Sequence, residues 1–354
     1  MKSSLAAGTI LISALALPCS AHEARDHEHA ELVPIPEYHL PFGEAGAAAS
    51  LQAAEAFLAS LDEAIRAQIM FDLDAEERAG WSNLPAGSFP RAGISVGELS
   101  DDQRKLLFDF LASSLSEEGY RRVKAVMAAE AYLNGLRSSA ARRKIAPEYY
   151  WISFYGTPSA TSPWGWQFGG HHLGLNLSLE SNRVTAMSPS FVGTEPTVFT
   201  HNGVEYESVV DMHRAGHALY AALNTAQQAA ARGRFRVGPG EVRTGPGRDG
   251  YIPETIGLSA AEMTARQKAL LLAAIDRWVS IQPSENAVRR MAELEADLDR
   301  LYFAWSGSDK INRRAYMRIQ GPTLIIELVS TGGDLGHYHT IYRNPTSEYG
   351  GLGP

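Results

Sequence analysis

The chain has 354 residues and a formal net charge of −8 at pH 7, with 45% hydrophobic and 20% charged residues. This composition is that of a globular protein with one large domain or two smaller ones. The acidic balance argues against a nucleic acid or an anionic membrane surface as the partner.

Residues 1–21 predict a signal peptide. Lys2 precedes an apolar run at residues 5–17, and Cys19-Ser20-Ala21 fits a small-residue cleavage site. The run is too short for a membrane-spanning helix, so we expect a periplasmic or secreted protein with no stable membrane insertion. A lipoprotein signal with acylation at Cys19 is the alternative, although Pro18 argues against it. Cleavage would remove the only cysteine, which excludes disulfides, thiolate zinc sites and iron–sulfur clusters.

Residues 22–46 are predicted to form a histidine-rich tail or linker before a single domain at residues 47–354. Cleavage after Ala21 would make His22 the amino terminus, where its amine and ring can chelate copper. Residues 22–29 are rich in imidazole and carboxylate groups, which suits loose metal capture. A solvated tail without a ligand is the simpler interpretation.

Helical and strand patterns come in separate blocks along the domain. Apolar periodicity predicts helices at residues 47–70, 101–115 (capped at Ser100), 117–138, 206–232, 259–281 (from a capping box Ser259 to Glu262) and 284–301. Strands are predicted at residues 148–155, 171–179, 183–188, 315–320, 323–330 and 337–342. Because the blocks do not alternate as βαβ units, the predicted fold is α+β, with antiparallel β-hairpins forming a sheet packed with several α-helices.

The first candidate for chemistry is His337-Tyr338-His339 at the start of a predicted strand. The two-residue period of a strand places both imidazoles on one face, where they can present two nitrogen ligands to a metal. Two surface histidines flanking a buried Tyr338 would give the same pattern.

Glu327 lies inside the apolar run at residues 324–329, where a carboxylate is costly unless it is paired or bound to a cation. The turn at residues 331–336 makes this strand the hairpin partner of the His-x-His strand. In one register Glu327 lies directly across from His339, and a one-residue slip would move it to the opposite face. Pairing with Arg318 is the alternative.

His171 and His172 lie in the predicted strand at residues 171–179, where neighbouring side chains point in opposite directions. His172 shares the polar face with Gly174 and Asn176 and is the preferred ligand, while His171 shares the leucine face, as a core histidine bonded to the backbone would. The loop at residues 169–170, Gly-Gly, could reorient either ring. Together with the C-terminal pair this gives three or four imidazoles, which suits a catalytic site with an open position for water.

Two further features are weaker candidates. His213 and His217 share a helix face, but Arg214 stands where the metalloprotease pattern His-Glu-x-x-His has its glutamate. An aromatic cluster predicts either core or a cleft wall that binds a sugar or a peptide. Its members are Tyr155, Trp164, Trp166 and Phe168.

The chain resembles the domain-of-unknown-function family DUF3500 over residues 51–350. The resemblance rests on Trp164-Gly165-Trp166-Gln167-Phe168-Gly169-Gly170-His171-His172-Leu173, Ser188-Pro189-Ser190-Phe191-Val192-Gly193, Phe303-Ala304-Trp305-Ser306-Gly307, Arg318-Ile319-Gln320-Gly321-Pro322 and His337-Tyr338-His339. It implies an exported bacterial protein without an established activity, and it singles out His171, His172, His337 and His339. The segment Tyr342-Arg343-Asn344 departs from the family's usual Trp-Arg-Asp.

These observations lead to the hypothesis of a metal-dependent hydrolase acting on a small molecule or a peptide. His172, His337 and His339 would hold zinc rather than copper. Glu327 would be the fourth ligand or the general base, and Arg343 would stabilise negative charge on the substrate. The alternatives are a non-enzymatic copper or zinc carrier and a metal-free module that binds a sugar or a peptide.

Overall fold

A computed structural model describes residues 33–136, 145–232 and 241–352. The predicted signal peptide and residues 22–29 of the histidine-rich tail lie outside the described residues and stay predictions. Within the described part of the chain, no helix has both the length and the apolar character needed to cross a membrane.

The described residues form eight α-helices and a mostly antiparallel twelve-stranded sheet, which confirms the predicted α+β class. The helices are α1 Ala47–Ala59, α2 Glu63–Ile69, α3 Asp101–Ser114, α4 Glu117–Leu136, α5 Val210–Ala222, α6 Thr225–Arg232, α7 Ala265–Val279 and α8 Ser284–Ala296. The strands are β1 Met70–Phe71, β2 Ile94–Ser95, β3 Tyr150–Tyr155, β4 Trp164–Gly170, β5 Leu173–Glu180, β6 Arg183–Ala186, β7 Ser190–Thr194, β8 Val198–His201, β9 Val204–Glu207, β10 Leu258–Ser259, β11 Tyr302–Gly307, β12 Ala315–Gly321, β13 Leu324–Ser330 and β14 Tyr338–Arg343.

Side-chain caps decide where several helices begin. The capping box predicted at Ser100 and Gln103 is present and starts α3. The helix predicted at residues 47–70 is two helices, because Asp62 accepts a hydrogen bond from the amide of Ile65 and starts α2. The helix predicted from Ser259 starts later: Ser259 ends β10 and caps only a 3-10 turn at Ala260–Glu262, and the capping box of α7 is formed by Thr264 and Gln267.

The sheet order brings the two histidine-bearing segments together. The main path runs β1-β3-β4-β5-β7-β14-β13-β12-β11-β10, with β2 beside β3 and β6 beside β5. Strands β8 and β9 form a separate pair. Strand β7 is antiparallel to both β5 and β14, so it lies directly between the central hairpin and the C-terminal one.

One strand boundary differs from the prediction in a way that matters for the site. The predicted strand at residues 171–179 starts only at Leu173, and His171-His172 forms the turn between β4 and β5. His172 has a φ of 61°, in the left-handed region that non-glycine residues rarely adopt. The prediction that His172 shares a strand face with Asn176 is therefore wrong, because a turn residue follows no strand alternation.

The predicted aromatic cluster is core. Tyr155, Trp164, Trp166 and Phe168 are buried in the main hydrophobic cluster or beside it. Trp166 packs edge-on against Phe110 of α3, which ties the helices to this end of the sheet. These rings are not an exposed platform for a sugar or a peptide.

Candidate metal site

Three imidazoles from two distant hairpins meet at one point. Nε2 of His337 lies 3.0 Å from Nε2 of His172 and 3.0 Å from Nε2 of His339. One donor atom from each of the three rings lies within 4.8 Å of the others. A tetrahedral zinc ion binds imidazole nitrogens at about 2.0–2.1 Å, which separates neighbouring donors by roughly 3.3 Å. The three predicted ligands therefore have the spacing of a metal site.

The backbone fixes these rings from both sides. His337 directly precedes β14 and His339 lies within it, so both side chains project from one face of the sheet. The amide of His172 donates to the carbonyl oxygen of Asn83 at 3.2 Å, and its own carbonyl accepts from the amide of Gly193 at 2.7 Å. The left-handed turn is thus held between a loop and β7, with its imidazole directed at His337.

Glu130 of α4 sets the orientation of His172. This carboxylate is fully buried, and its two oxygens lie 2.8 Å from Nδ1 of His171 and 3.1 Å from Nδ1 of His172. Because a carboxylate accepts hydrogen bonds, each Nδ1 carries a proton, and a neutral His172 keeps its lone pair on Nε2. That lone pair faces the point where the three rings meet.

Glu241 stands in the same relation to His339. Its Oε2 lies 3.3 Å from Nδ1 of His339, and its side chain is 59% exposed. Partial burial raises the pKa of Glu241, but its interactions with His339 and His337 outweigh this and lower that pKa below its usual value. The contact is electrostatic, because Nδ1 of His339 has no partner with hydrogen-bond geometry among the described residues. A carboxylate therefore lies beside Nδ1 of two of the three imidazoles, hydrogen-bonded to His172 and in close contact with His339. Carboxylates in this position orient metal-bound histidines in proteins.

His171 has a different place from the one predicted for a fourth ligand. Its ring stacks on that of His172 with centroids 3.7 Å apart. Together with Glu130 and His172 it forms a second cluster of closely spaced side chains that could hold a metal. Its contacts hold Glu130 in place, on the side of His172 away from His337.

The register of the β13–β14 hairpin differs from both registers that the sequence suggested for Glu327. Glu327 pairs with Ile341, while His339 pairs with Val329, so Glu327 lies on the face of His339 but two residues farther along. Its carboxylate accepts hydrogen bonds from the amide of Thr244 at 2.8 Å and the hydroxyl of Thr244 at 2.6 Å. The hydroxyl of Tyr316 is a third donor. The expected position across from His339 is wrong, because the hairpin has a different register.

Arg343 is also buried and surrounded by protein acceptors. Its guanidinium forms ion pairs with Asp249 and Glu348 and donates to the carbonyl oxygens of Thr244 and Arg248 at 2.8 and 2.9 Å. Its predicted role on a substrate stays a prediction, and its contacts are those of a structural anchor.

His213 and His217 lie on the other side of the sheet from the three converging rings. His213 packs edge-on against Trp305 and Tyr338, and Tyr338 projects to the opposite face from His337 and His339. Burial, with a smaller effect of His217, lowers the pKa of His213 to about 4. The structure does not bring this pair to the site.

Sequence patterns missed Glu130 and Glu241. Glu130 lies among Ala128, Ala129 and Ala131 in a buried helix, where a carboxylate is as costly without a partner as Glu327 is in its strand. Glu241 follows a Gly/Pro-rich segment and has no local signal, because its partner lies about a hundred residues away in the chain.

The DUF3500 family model, described as a protein of unknown function, matches residues 44–351. The match covers most of the chain, so the protein belongs to this family, and the resemblance found in the motifs is confirmed. No curated protein and no solved structure matches the chain. Family membership assigns no activity, which leaves the side-chain geometry as the basis for one.

Proposed function

We propose that this member of the DUF3500 family binds one divalent metal ion at His172, His337 and His339 and uses it for hydrolysis. The observation that carries the proposal is the convergence of three Nε2 atoms with carboxylates behind two of the rings. A bound metal ion makes the Nδ1–H of its imidazole ligands a stronger hydrogen-bond donor, which suits the carboxylates of Glu130 and Glu241 beside these rings.

Zinc is the proposed ion. Three neutral imidazoles with an open fourth position are the donor set of catalytic zinc, although imidazole also suits copper. Zinc held there would supply activated water at neutral pH and polarise a carbonyl or phosphoryl oxygen. His337 is only partly buried and Glu241 is exposed, so the site reaches solvent on that side, where a small molecule or a peptide can approach.

Glu241 replaces Glu327 as the proposed carboxylate beside the histidines. Its carboxylate lies 3.3 Å from Nδ1 of His339, where it can orient that ring and compensate the charge of the bound ion. Glu130 does the same for His172 from inside the protein.

Activity is tested with purified protein stripped by a chelator and then reloaded with zinc. Chromogenic carboxylic esters, phosphate esters and peptides serve as substrates. We expect zinc-dependent hydrolysis of one class, lost in His337→Ala and kept in His217→Ala, which alters a histidine on the other sheet face. Protein that binds zinc and hydrolyses none of the three classes would contradict the hydrolase and favour a metal carrier. Copper bound by the full mature chain and lost on trimming residues 22–29 would favour the carrier further.

The proposed location is the periplasm or the medium, on the signal-peptide pattern at residues 1–21. Mass spectrometry of the protein from each cell fraction tests it. An amino terminus at His22 in the exported fraction is expected. A full-length chain kept in the cytoplasm would overturn the location without affecting the metal site.

A further inference from the structure

The two residues that the sequence singled out as catalytic hold the same segment, residues 241–250. Glu327 of β13 accepts from both the amide and the hydroxyl of Thr244, at 2.8 and 2.6 Å. Tyr316 of β12 donates to the other oxygen of the same carboxylate. Burial and the charge of Glu327 raise the pKa of Tyr316, so its hydroxyl stays protonated and acts as the donor.

Arg343 of β14 holds the same segment at three further points. It donates to the carbonyl oxygens of Thr244 and Arg248 at 2.8 and 2.9 Å and pairs with the carboxylate of Asp249. Glu348, its second ion-pair partner, accepts from the amide of Gly250 at 3.2 Å. A segment without helix or strand is therefore tied to two adjacent strands, β13 and β14, through the buried side chains of Glu327 and Arg343.

Glu241 lies three residues before Thr244, at the end of this segment that reaches His339. Thr244 is the anchor nearest to it, and both Glu327 and Arg343 bind Thr244. A buried carboxylate is costly unless its hydrogen bonds are satisfied, and Glu327 meets that condition only while Thr244 stays docked.

We propose that Glu327 and Arg343 are positioning residues that clamp the segment 241–250 onto the sheet, so that Glu241 is held against His339. Neither side chain would then touch the substrate. Glu327 and Arg343 affect the proposed metal site only through the position of Glu241. This part of the inference rests on the proposed function.

A double-mutant cycle in zinc affinity tests this route. Glu241→Ala changes an exposed side chain and is expected to weaken zinc binding about tenfold, as loss of a carboxylate behind a ligand does. Glu327→Gln replaces one acceptor oxygen by an amide that faces donors, and we expect a loss of similar size. If Glu327 acts through Glu241, the double variant binds zinc within about twofold of Glu241→Ala alone.

A matched cycle uses Glu130→Gln, which alters the carboxylate behind His172 and lies outside the clamp. Here the fold-changes of Glu327→Gln and Glu130→Gln should multiply. Multiplying losses in the Glu241 cycle, or a Glu327→Gln variant with wild-type zinc affinity, would overturn the proposal. If Glu327→Gln does not fold, Tyr316→Phe is used instead, because it removes one hydrogen-bond donor to the Glu327 carboxylate. We expect a smaller loss of zinc affinity in that variant.

Amide hydrogen exchange in metal-free protein separates this inference from the metal proposal. We expect Glu327→Gln to speed exchange across residues 241–250 while α4 stays unchanged. Wild-type protein that binds no zinc would refute the proposed function, and the exchange result would then decide the clamp alone. Unchanged exchange at residues 241–250 would refute the clamp whether or not zinc binds.

Discussion

The main-chain amide of Gly193 donates a 2.7 Å hydrogen bond to the carbonyl oxygen of His172. Gly193 also lies directly opposite His339 in the β7–β14 pair. One residue of β7 therefore joins the turn that carries one imidazole to the strand that carries the others. A Cβ on Gly193 would lie 3.2 Å from Cδ2 of His172, 3.2 Å from Cδ2 of His339 and 2.8 Å from the carbonyl oxygen of Tyr338. The lack of a side chain is what lets the two hairpins approach.

Gly193→Ala should therefore weaken zinc binding about tenfold or more, because the added methyl pushes the two rings apart. Overpacking should also lower the free energy of unfolding by about 1–3 kcal/mol. Zinc affinity from competition with a chromogenic chelator and urea unfolding in the presence of EDTA measure the two effects. Gly46→Ala is the matched control, since a Cβ there meets no atom within 4 Å. Wild-type zinc affinity in Gly193→Ala would rule out a role of this contact in the site.

Glu130→Gln should lower zinc affinity by about 10- to 100-fold. The amide nitrogen of glutamine is a donor, so it opposes one of the two Nδ1–H groups that Glu130 now accepts. The unsatisfied donor should also cost about 1–3 kcal/mol of stability in metal-free protein.

Asp109→Asn is the control for Glu130→Gln, because Asp109 is a buried carboxylate of α3 whose partner is Lys105. Zinc affinity should be unchanged in this variant. Equal losses in both variants would mean that zinc affinity reports general stability and not the orientation of His172.

Protonation of His213 should make the free energy of unfolding depend on pH. Its pKa is lowered to about 4 by burial, whereas an unfolded histidine titrates near 6.5. Between these values the unfolded chain binds the additional proton, so stability falls as the pH drops from about 6.5 to 4, by about 3 kcal/mol for this group. Above pH 6.5 it has no effect.

Urea unfolding of metal-free protein at pH 7 and pH 4.5 tests this, with His213→Gln beside the wild type. His217 and Arg214 disfavour the charged form of His213, while the backbone and charge of Asp309 favour it. We expect the variant to lose clearly less stability over this interval than the wild type. Parallel losses in the two proteins would show that His213 titrates normally in the folded state.

Local patterns predicted the parts of the fold that depend on neighbours in the chain. The capping box at Ser100 and the paired face of His337 and His339 follow from spacings of two to four residues, and both are present. The partners of Glu327 and the contact of Glu241 with His339 depend on register and on segments about a hundred residues apart. A change of two residues in register leaves the hydrophobic pattern of both strands intact, so the sequence does not decide between such alignments.

The turn at His171-His172 shows a second limit of sequence patterns. Alternating leucines make residues 171–179 resemble one strand, yet the chain reverses at the two histidines. The left-handed turn at His172 is held by tertiary hydrogen bonds to Asn83 and Gly193. The glycines at residues 169–170 permit a reorientation of the histidines, but they do not fix the position of the turn. His172 still reaches His337, but it does so from this turn and not from the strand face that the alternation predicts.

Zinc retention by His172→Ala tests whether the two hairpins share one ion. Purified wild-type protein, His172→Ala and His217→Ala are loaded with zinc, passed through a desalting column and analysed for metal by mass spectrometry. We expect about one equivalent in the wild type and in His217→Ala, and a large loss in His172→Ala, although His337 and His339 remain. Equal zinc in all three proteins would contradict a shared site.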